Sequence, residues 1–402
     1  MIEIRDKTKC SGCAACAGVC PQKCIDMIPD EEGFYYPQVD KEKCIDCHLC
    51  EKRCPILNMT KEEPFSQKGF IVQNKALKIL RESTAGGFYT ALAEYVIQNK
   101  GIVVGVEINN NNFVHHVCVD NESDLWKFRN SKYVQSYIDG DTLRKIKSAL
   151  ESKKMVLFSG TPCQVEGLKK AVGDKFQNLI TVDVVCRAVP SPLIFKKYIE
   201  YQEKHQDNPI RRVVFRDKEY GYKYSTLNIV TDKNKGNYHH GVESDPWLRA
   251  FFSGMINRPS CYHCHFRKRY RVSDFTIWDC FQVGRFSKKL DNDKGATRIL
   301  IHTKRGNEFF ENIKEKFYYK EIDPEKLVET THEMFYSLSE PDREKRTKLF
   351  MKANELSGSA FFETYFPYNL KARIKHYIRI ISLKAGLYGF LKKTYVWITK
   401  KY

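Results

Sequence analysis

Two short runs, CSGCAACAGVCP at residues 10–21 and CIDCHLCEKRCP at residues 44–55, decide how the rest of the chain is read. Both follow C-x2-C-x2-C-x3-C-P, and the second begins 34 residues after the first. Three thiolates at such intervals on a tight loop can wrap one face of an iron-sulfur cube, while the fourth cysteine of each run serves the other run's cluster. The spacing therefore assigns Cys10, Cys13, Cys16 and Cys54 to one 4Fe-4S cluster, and Cys20, Cys44, Cys47 and Cys50 to a second. Zinc rarely takes three cysteines this close together before Cys-Pro, and a disulfide framework belongs to short secreted chains. The repeat occurs only twice and lacks the apolar spacing of a helical array.

Residues 1–60 resemble a bacterial-type two-cluster ferredoxin domain of α+β class. The chain has 402 residues, so a larger unit must follow. The first residues carry no apolar signal core and no uncharged run is long enough to cross a bilayer, so the expected location is the cytoplasm. Nine of the 15 cysteines precede residue 55, which suits reduced metal ligands in an anaerobic or microaerobic cell. The net charge is +18, and half of that excess lies between Asn369 and Tyr402, where nine basic residues meet no acidic one. With the body only mildly basic and without a concentrated basic and aromatic patch, no nucleic-acid partner is expected.

Residues 61–68 read as a linker containing Lys61-Glu62-Glu63-Pro64. Beyond it, Ser83, Thr84, Ala85, Gly86 and Gly87 form a turn opening a helix from Phe88, and a helix N-terminus of this kind can seat a pyrophosphate. Paired glycines alone more often mark only a turn. Gly101–Ile108 and Phe113–Val119 read as a strand pair, followed by the polar loop Asn130, Ser131, Lys132, Tyr133. A strand Met155–Ser159 ends in Gly160-Thr161-Pro162-Cys163, and a strand Leu179–Val185 ends in Cys186. Parallel neighbours would bring both cysteines to one sheet edge, where ligands collect in open α/β sheets. Cys261 and Cys264 form a further C-x2-C, for which spacing alone leaves zinc and iron-sulfur equally open.

From about Arg81 to Thr303 the signatures occur in the order shown by one flavoprotein family. They are Ser83–Gly87, Ser131–Tyr133, Ser159–Gln164, Cys186 with Val189–Pro192, Arg258–Cys264, and Ser273-Asp274 with Asp279. This stretch resembles the beta subunit of coenzyme F420 hydrogenase/dehydrogenase, a family that includes plant 7-hydroxymethyl chlorophyll a reductase. The resemblance implies an α/β flavin-binding domain with a mixed sheet over residues 69–335. It also implies a third 4Fe-4S cluster on Cys163, Cys186, Cys261 and Cys264, and an FAD against Ser83–Gly87, Asn130–Tyr133 and Ser159–Pro162. Arg187-Ala188 stands where relatives often have His-Gly, and Trp278–Gln282 replaces a Gly-Asp-Phe-Trp-Gly run. Both departures point to a different substrate.

Clusters move single electrons and hydride chemistry needs two, so the expected order is clusters, FAD, organic substrate, with hydride passing at flavin N5. A low-potential donor such as a ferredoxin would supply electrons to an unknown substrate, with surface-polysaccharide metabolism one setting. The alternative is an electron-transfer subunit of a larger hydrogenase or dehydrogenase acting on coenzyme F420. Lys132, Arg187 and Asp279 are proton-donor candidates by position only. His115-His116 in a strand and His239-His240 in a loop are expected to pack rather than bind metal, and His263 to sit beside the third thiol set. Cys24, Cys118 and Cys280 are expected to be packed thiols. Residues 336–402 read as a helical, basic, amphipathic tail, with Ile374, Tyr377, Ile378, Ile381 and then Leu387, Leu391, Tyr395, Ile398 at helical spacing. Such helices suit an anionic membrane face, here the inner one, which is the partner expected for the tail.

Overall fold

The strands of the structure, a computed structural model describing residues 1–233 and 236–387, follow the apolar runs of the sequence. In chain order they are β1 (Ile25–Pro29), β2 (Tyr35–Val39), β3 (Lys68–Asn74), β4 (Ile102–Ile108), β5 (Val114–Val119), β6 (Val156–Gly160) and β7 (Leu179–Val184). They continue with β8 (Ile210–Asp217), β9 (Thr226–Thr231), β10 (Tyr238–His240), β11 (Phe275–Asp279), β12 (Thr297–Ile301) and β13 (Phe317–Glu321). Eight of them form one mixed sheet in the order β13-β3-β12-β11-β7-β6-β4-β5. The pairs β4/β6, β6/β7 and β7/β11 are parallel, whereas β12 runs against both β11 and β3. It follows that β3, β4, β6, β7 and β11 all point their carboxyl ends to the same edge.

Central strands of such a sheet are covered on both faces and therefore read as continuous apolar runs. Leu157, Ile180 and Val182 pack on one face against Phe88, Leu92 and Val96 of the helix Phe88–Gln98. On the other face Val156, Phe158 and Leu179 meet Leu143, Ile146, Val165 and Leu168, from the helices Gly140–Glu151 and Pro162–Val172. That second face also receives Ala14, Ala17, Ile25, Met27 and Cys50 from the first 60 residues, so the cysteine-rich module shares a core with the sheet. Arg258 clamps the junction from inside. Fully buried, it donates to Cys10 O at 2.8 Å, Tyr35 O at 3.1 Å and Gln135 Oε1 at 3.2 Å, and stacks over Tyr36.

The segment 61–68 is strapped down rather than loose. Glu62 Oε1 accepts from Arg269 N at 2.6 Å and Tyr270 N at 2.9 Å, Phe65 packs edge-on to Tyr270 and His302, and Gln67 bonds His302. A second sheet, β10-β9-β8, packs with the helices Pro192–Gln206, Pro246–Ser253, Arg343–Glu355 and Gly358–Tyr365 around Trp247 and Phe361.

Four details differ from the sequence reading. His239 and His240 lie in β10 rather than a loop, because they pair with Asn228 and Leu227 of β9. Cys118 is exposed on β5, an edge strand, and is not packed. Of the supposed tail, the helices Arg343–Glu355 and Gly358–Tyr365 are built into the core through Leu349, Phe350, Phe361 and Phe362. Only the helix Leu370–Lys384 stands outside it, and Leu391, Tyr395 and Ile398 fall outside the described residues. Among the described residues, no helix is long and apolar enough to cross a membrane.

Candidate functional site

The first two thiol sets form as their spacing predicts. Cys10 and Cys54 lie close enough to Cys13 and Cys16 to disfavour their ionisation further, on top of the burial that pushes Cys13 up to about 12. Backbone N–H groups of Ala15, Ala17, Ile56 and Leu57 point at Cys13, Cys16 and Cys54 sulfurs, the bonding that tunes thiolate-held clusters. Cys20, Cys44, Cys47 and Cys50 line one recess of about 340 Å³. Cys24 belongs to the same wall, buried with its Sγ 3.4 Å from that of Cys20, so it is packed against a predicted ligand. Cys280 is fully buried in an apolar cluster beneath β11 and β12.

The third set is assembled by the sheet. Cys163 opens the helix after β6, Cys186 follows β7, and Cys261 and Cys264 come from the turn at Pro259–Cys261. All four line a recess of about 580 Å³ together with Thr8, Ser11, Ile56, Arg187 and His263. Burial pushes the thiols of Cys186 and Cys261 up to about 12 and about 11, and Cys163 also rises. Buried thiols so reluctant to ionise alone, gathered around a space rather than against one another, fit a site whose metal supplies the compensating charge. Cys13 lies near Cys163. The reason is Gly167, one helical turn after Cys163, where an added Cβ would come within 2.8 Å of Cys13 Sγ.

The loops expected to hold a flavin also meet at the carboxyl edge. Thr84 Oγ1 lies 3.0 Å from Ser131 Oγ and accepts from Ser131 N at 2.7 Å. Tyr89, in the helix that follows, reaches Ser159. Gly86 is required by close approach, since a Cβ there would lie 2.2 Å from Val72 O. Gly87 takes φ 76° at the start of the helix Phe88–Gln98, which has no side-chain cap. An uncapped, glycine-opened helix N-terminus is a fitting seat for a phosphate. Ala85 O is held by Lys218 Nζ at 2.7 Å, and Thr161 and Gln164 form a capping box over Pro162.

Of the three proton-donor candidates, Lys132 is buried with Nζ donating to Lys127 O at 2.7 Å and Arg129 O at 3.0 Å, and burial brings it down to about 7. Arg187 Nη1 faces Glu333 at 3.3 Å on the rim of the third recess. Asp279 pairs with Arg216 at 3.0 Å and accepts from Tyr222 OH at 2.9 Å. Arg216 is the residue that sequence reasoning missed. It also donates to Tyr133 OH at 3.1 Å, exchanges backbone bonds with Asn130, and keeps a buried Nη2 without a partner. Its position in the alternating strand β8 marked it only as one basic residue among several. Asp274, part of a signature, is structural: it accepts from Thr181, Thr303 and Arg305 and locks β7 to β11. His263 is exposed beside Glu340 at 3.3 Å.

Thiol-lined recesses on a module packed against an α/β sheet define the class: an iron-sulfur electron-transfer protein. The chain belongs to the coenzyme F420 hydrogenase/dehydrogenase beta subunit family, whose C-terminal model matches residues 153–326, and it carries a 4Fe-4S dicluster domain at residues 9–57. It is similar to the coenzyme F420-dependent sulfite reductase of Methanocaldococcus jannaschii, 30% identical over 171 residues, covering 42% of this chain and 26% of that protein. The chain thus spans about a quarter of that relative's length. The ferredoxin 7Fe of Hydrogenibacillus schlegelii is 38% identical over 64 residues, 15% of this chain and 76% of that protein. A chain of the F420-reducing NiFe hydrogenase complex from Methanosarcina barkeri is 17% identical with a TM-score of 0.44, covering 77% of this chain and 97% of that one.

Proposed function

We propose that this protein is an iron-sulfur flavoprotein oxidoreductase that moves electrons between a low-potential donor and an organic substrate. One observation carries the reading: Thr8, Ser11 and Ile56 of the cysteine-rich module share a recess with Cys163, Cys186, Cys261 and Cys264, at the edge where Thr84 meets Ser131. In this reading Cys10, Cys13, Cys16 and Cys54 hold one 4Fe-4S cluster and Cys20, Cys44, Cys47 and Cys50 a second. Cys163, Cys186, Cys261 and Cys264 hold a third. FAD would be held by Ser83–Gly87, Asn130–Tyr133 and Ser159–Pro162. Bound there, the clusters supply one-electron exchange and the flavin couples it to two-electron hydride chemistry.

The chain's own residues provide position and charge. Arg258 fixes the module against the sheet, and Gly167 lets Cys13 approach the helix that starts with Cys163. Lys218 fastens the turn at Ala85, and Arg216 with Asp279 sets a buried charge pair behind Tyr133. Lys132, spent on two carbonyls, is a positioning group for its loop in this reading rather than a proton donor.

The second reading, an electron-transfer subunit acting on coenzyme F420, is favoured by the printed activities of the relatives. Anaerobic purification with iron, sulfide and flavin analysis tests the cofactors: about twelve irons and one FAD per chain are expected. About eight irons without flavin would overturn the main reading. Mixing the reduced protein with coenzyme F420 separates the two: rapid bleaching favours the subunit reading, and no bleaching favours a substrate of the enzyme's own.

A further inference from the structure

The helix Leu370–Lys384 turns its apolar side away from the protein. At about 100° per residue, Leu370, Ile374, Tyr377, Ile378 and Ile381 fall in one stripe about 100° wide. Their relative exposures are 70%, 49%, 59%, 57% and 64%. The opposite side docks on the body. Ala372 and Ser382 are buried, Arg379 Nη1 donates to Glu243 Oε2 at 2.6 Å, and His376 lies 3.7 Å from Glu243 and stacks on His240. Arg249 holds the approach to the helix through Phe366 O and Pro367 O. A surface helix ordinarily buries its apolar stripe in its own core. Here polar and small residues face inward, and isoleucines face outward.

We infer that this stripe is a seat for an anionic lipid bilayer. Lys371 and Lys375 line one border of the stripe and Arg373 and Lys384 the other, and residues 369–402 contain no Asp or Glu. A convex apolar ridge between two basic rows lies naturally at the boundary between acyl chains and headgroups, where each side chain meets its own chemistry. A second copy of the chain would set one cationic border against another, and nucleic acid offers isoleucine no apolar surface. Because the helix is tied to Glu243, the bilayer would hold the protein in one orientation instead of trailing it from a free tail.

Flotation of the full-length, iron-loaded chain with phosphatidylglycerol-containing vesicles, against pure phosphatidylcholine vesicles, tests this. The parent should float with the anionic vesicles and be largely released by high salt. The variant Ile374→Ser/Ile378→Ser/Ile381→Ser should bind them about tenfold more weakly or worse. Lys371→Gln/Lys375→Gln/Arg373→Gln/Lys384→Gln should remove the preference for anionic over neutral vesicles. All substituted side chains are exposed, so iron content and visible spectrum should be unchanged. Failure of the parent to float would overturn the inference, as would undiminished binding of the triple isoleucine variant. A light-scattering dimer that the triple variant dissociates, with vesicles ignored, would assign the stripe to a second copy instead.

Discussion

Within residues 10–54 the eight cysteines of the first two thiol sets are placed by spacing alone, whereas Cys163, Cys186, Cys261 and Cys264 come from three segments that only the sheet unites. The surroundings differ as well. Cys47 is exposed and Cys44 half-buried beside the surface residues Ile45 and His48, while the third recess is closed by Arg187, Arg267 and Arg271. A local loop can gather ligands before the rest of the chain folds. A recess at a sheet edge exists only once β6, β7 and the turn at Pro259 are in register. The comparison suggests that the first two sites are properties of a loop and the third a property of the fold.

The largest test removes a ligand on each side. Cys186→Ala should lower the iron content by about a third while leaving the signals of the cysteine-rich module intact. Cys47→Ala should spare the third site. If either substitution empties both regions, the distinction fails. Next, Arg258→Met should destabilise the protein by about 3 kcal/mol, because Cys10 O, Tyr35 O and Gln135 lose a buried donor together. Thermal melting should then show the module separating from the sheet; an unchanged single transition would mean that their shared core suffices.

Acid sharpens the same contrast from the sheet side. His116, buried against Phe158 with Nε2 on Ser159 O, is pushed by burial from 6.5 down to about 4. The unfolded chain therefore takes up the proton first, so the stability present above pH 6.5 declines as pH falls toward about 4, by about 3 kcal/mol for this group. His302, lowered to about 3, acts in the same direction. Melting temperature should fall between pH 7 and pH 5, and less steeply in His116→Gln; equal slopes would remove His116 from the account. The smallest expected effect on stability is that of Gly167→Ala, roughly 1 kcal/mol either way, since better helix propensity opposes the contact with Cys13. Its effect should appear instead as slower reduction of the third site after the first two are reduced, measured by stopped-flow absorbance.

The strand and helix pattern was largely legible because the buried sheet writes itself as runs such as Leu179–Val184 and the helices as capped amphipathic segments such as Gly140–Glu151. Convergence of Cys163 and Cys186 followed from their places after neighbouring parallel strands. Joining them to Cys261 and Cys264 needed a resemblance, since no spacing rule links segments so far apart. What stayed hidden was pairwise and long-range: Arg258 reaching Cys10, Arg216 reaching Asp279, Gly167 yielding to Cys13. None of these residues differs in type from its neighbours in a way that announces a partner. The helices after residue 342 were taken into the tail because their charge hides a short apolar face, Leu349, Phe350 and Ala353, that fills the core.

The strap at residues 61–68 has a kinetic consequence. A module on a free tether meets its partner surface at an effective concentration set by tether length, and each encounter waits on diffusion. Glu62 on the Arg269 and Tyr270 amides, with Phe65 wedged against Tyr270 and His302, removes that search. Exchange between the two parts of this chain should therefore be indifferent to solvent viscosity, whereas delivery from an outside donor should slow as viscosity rises.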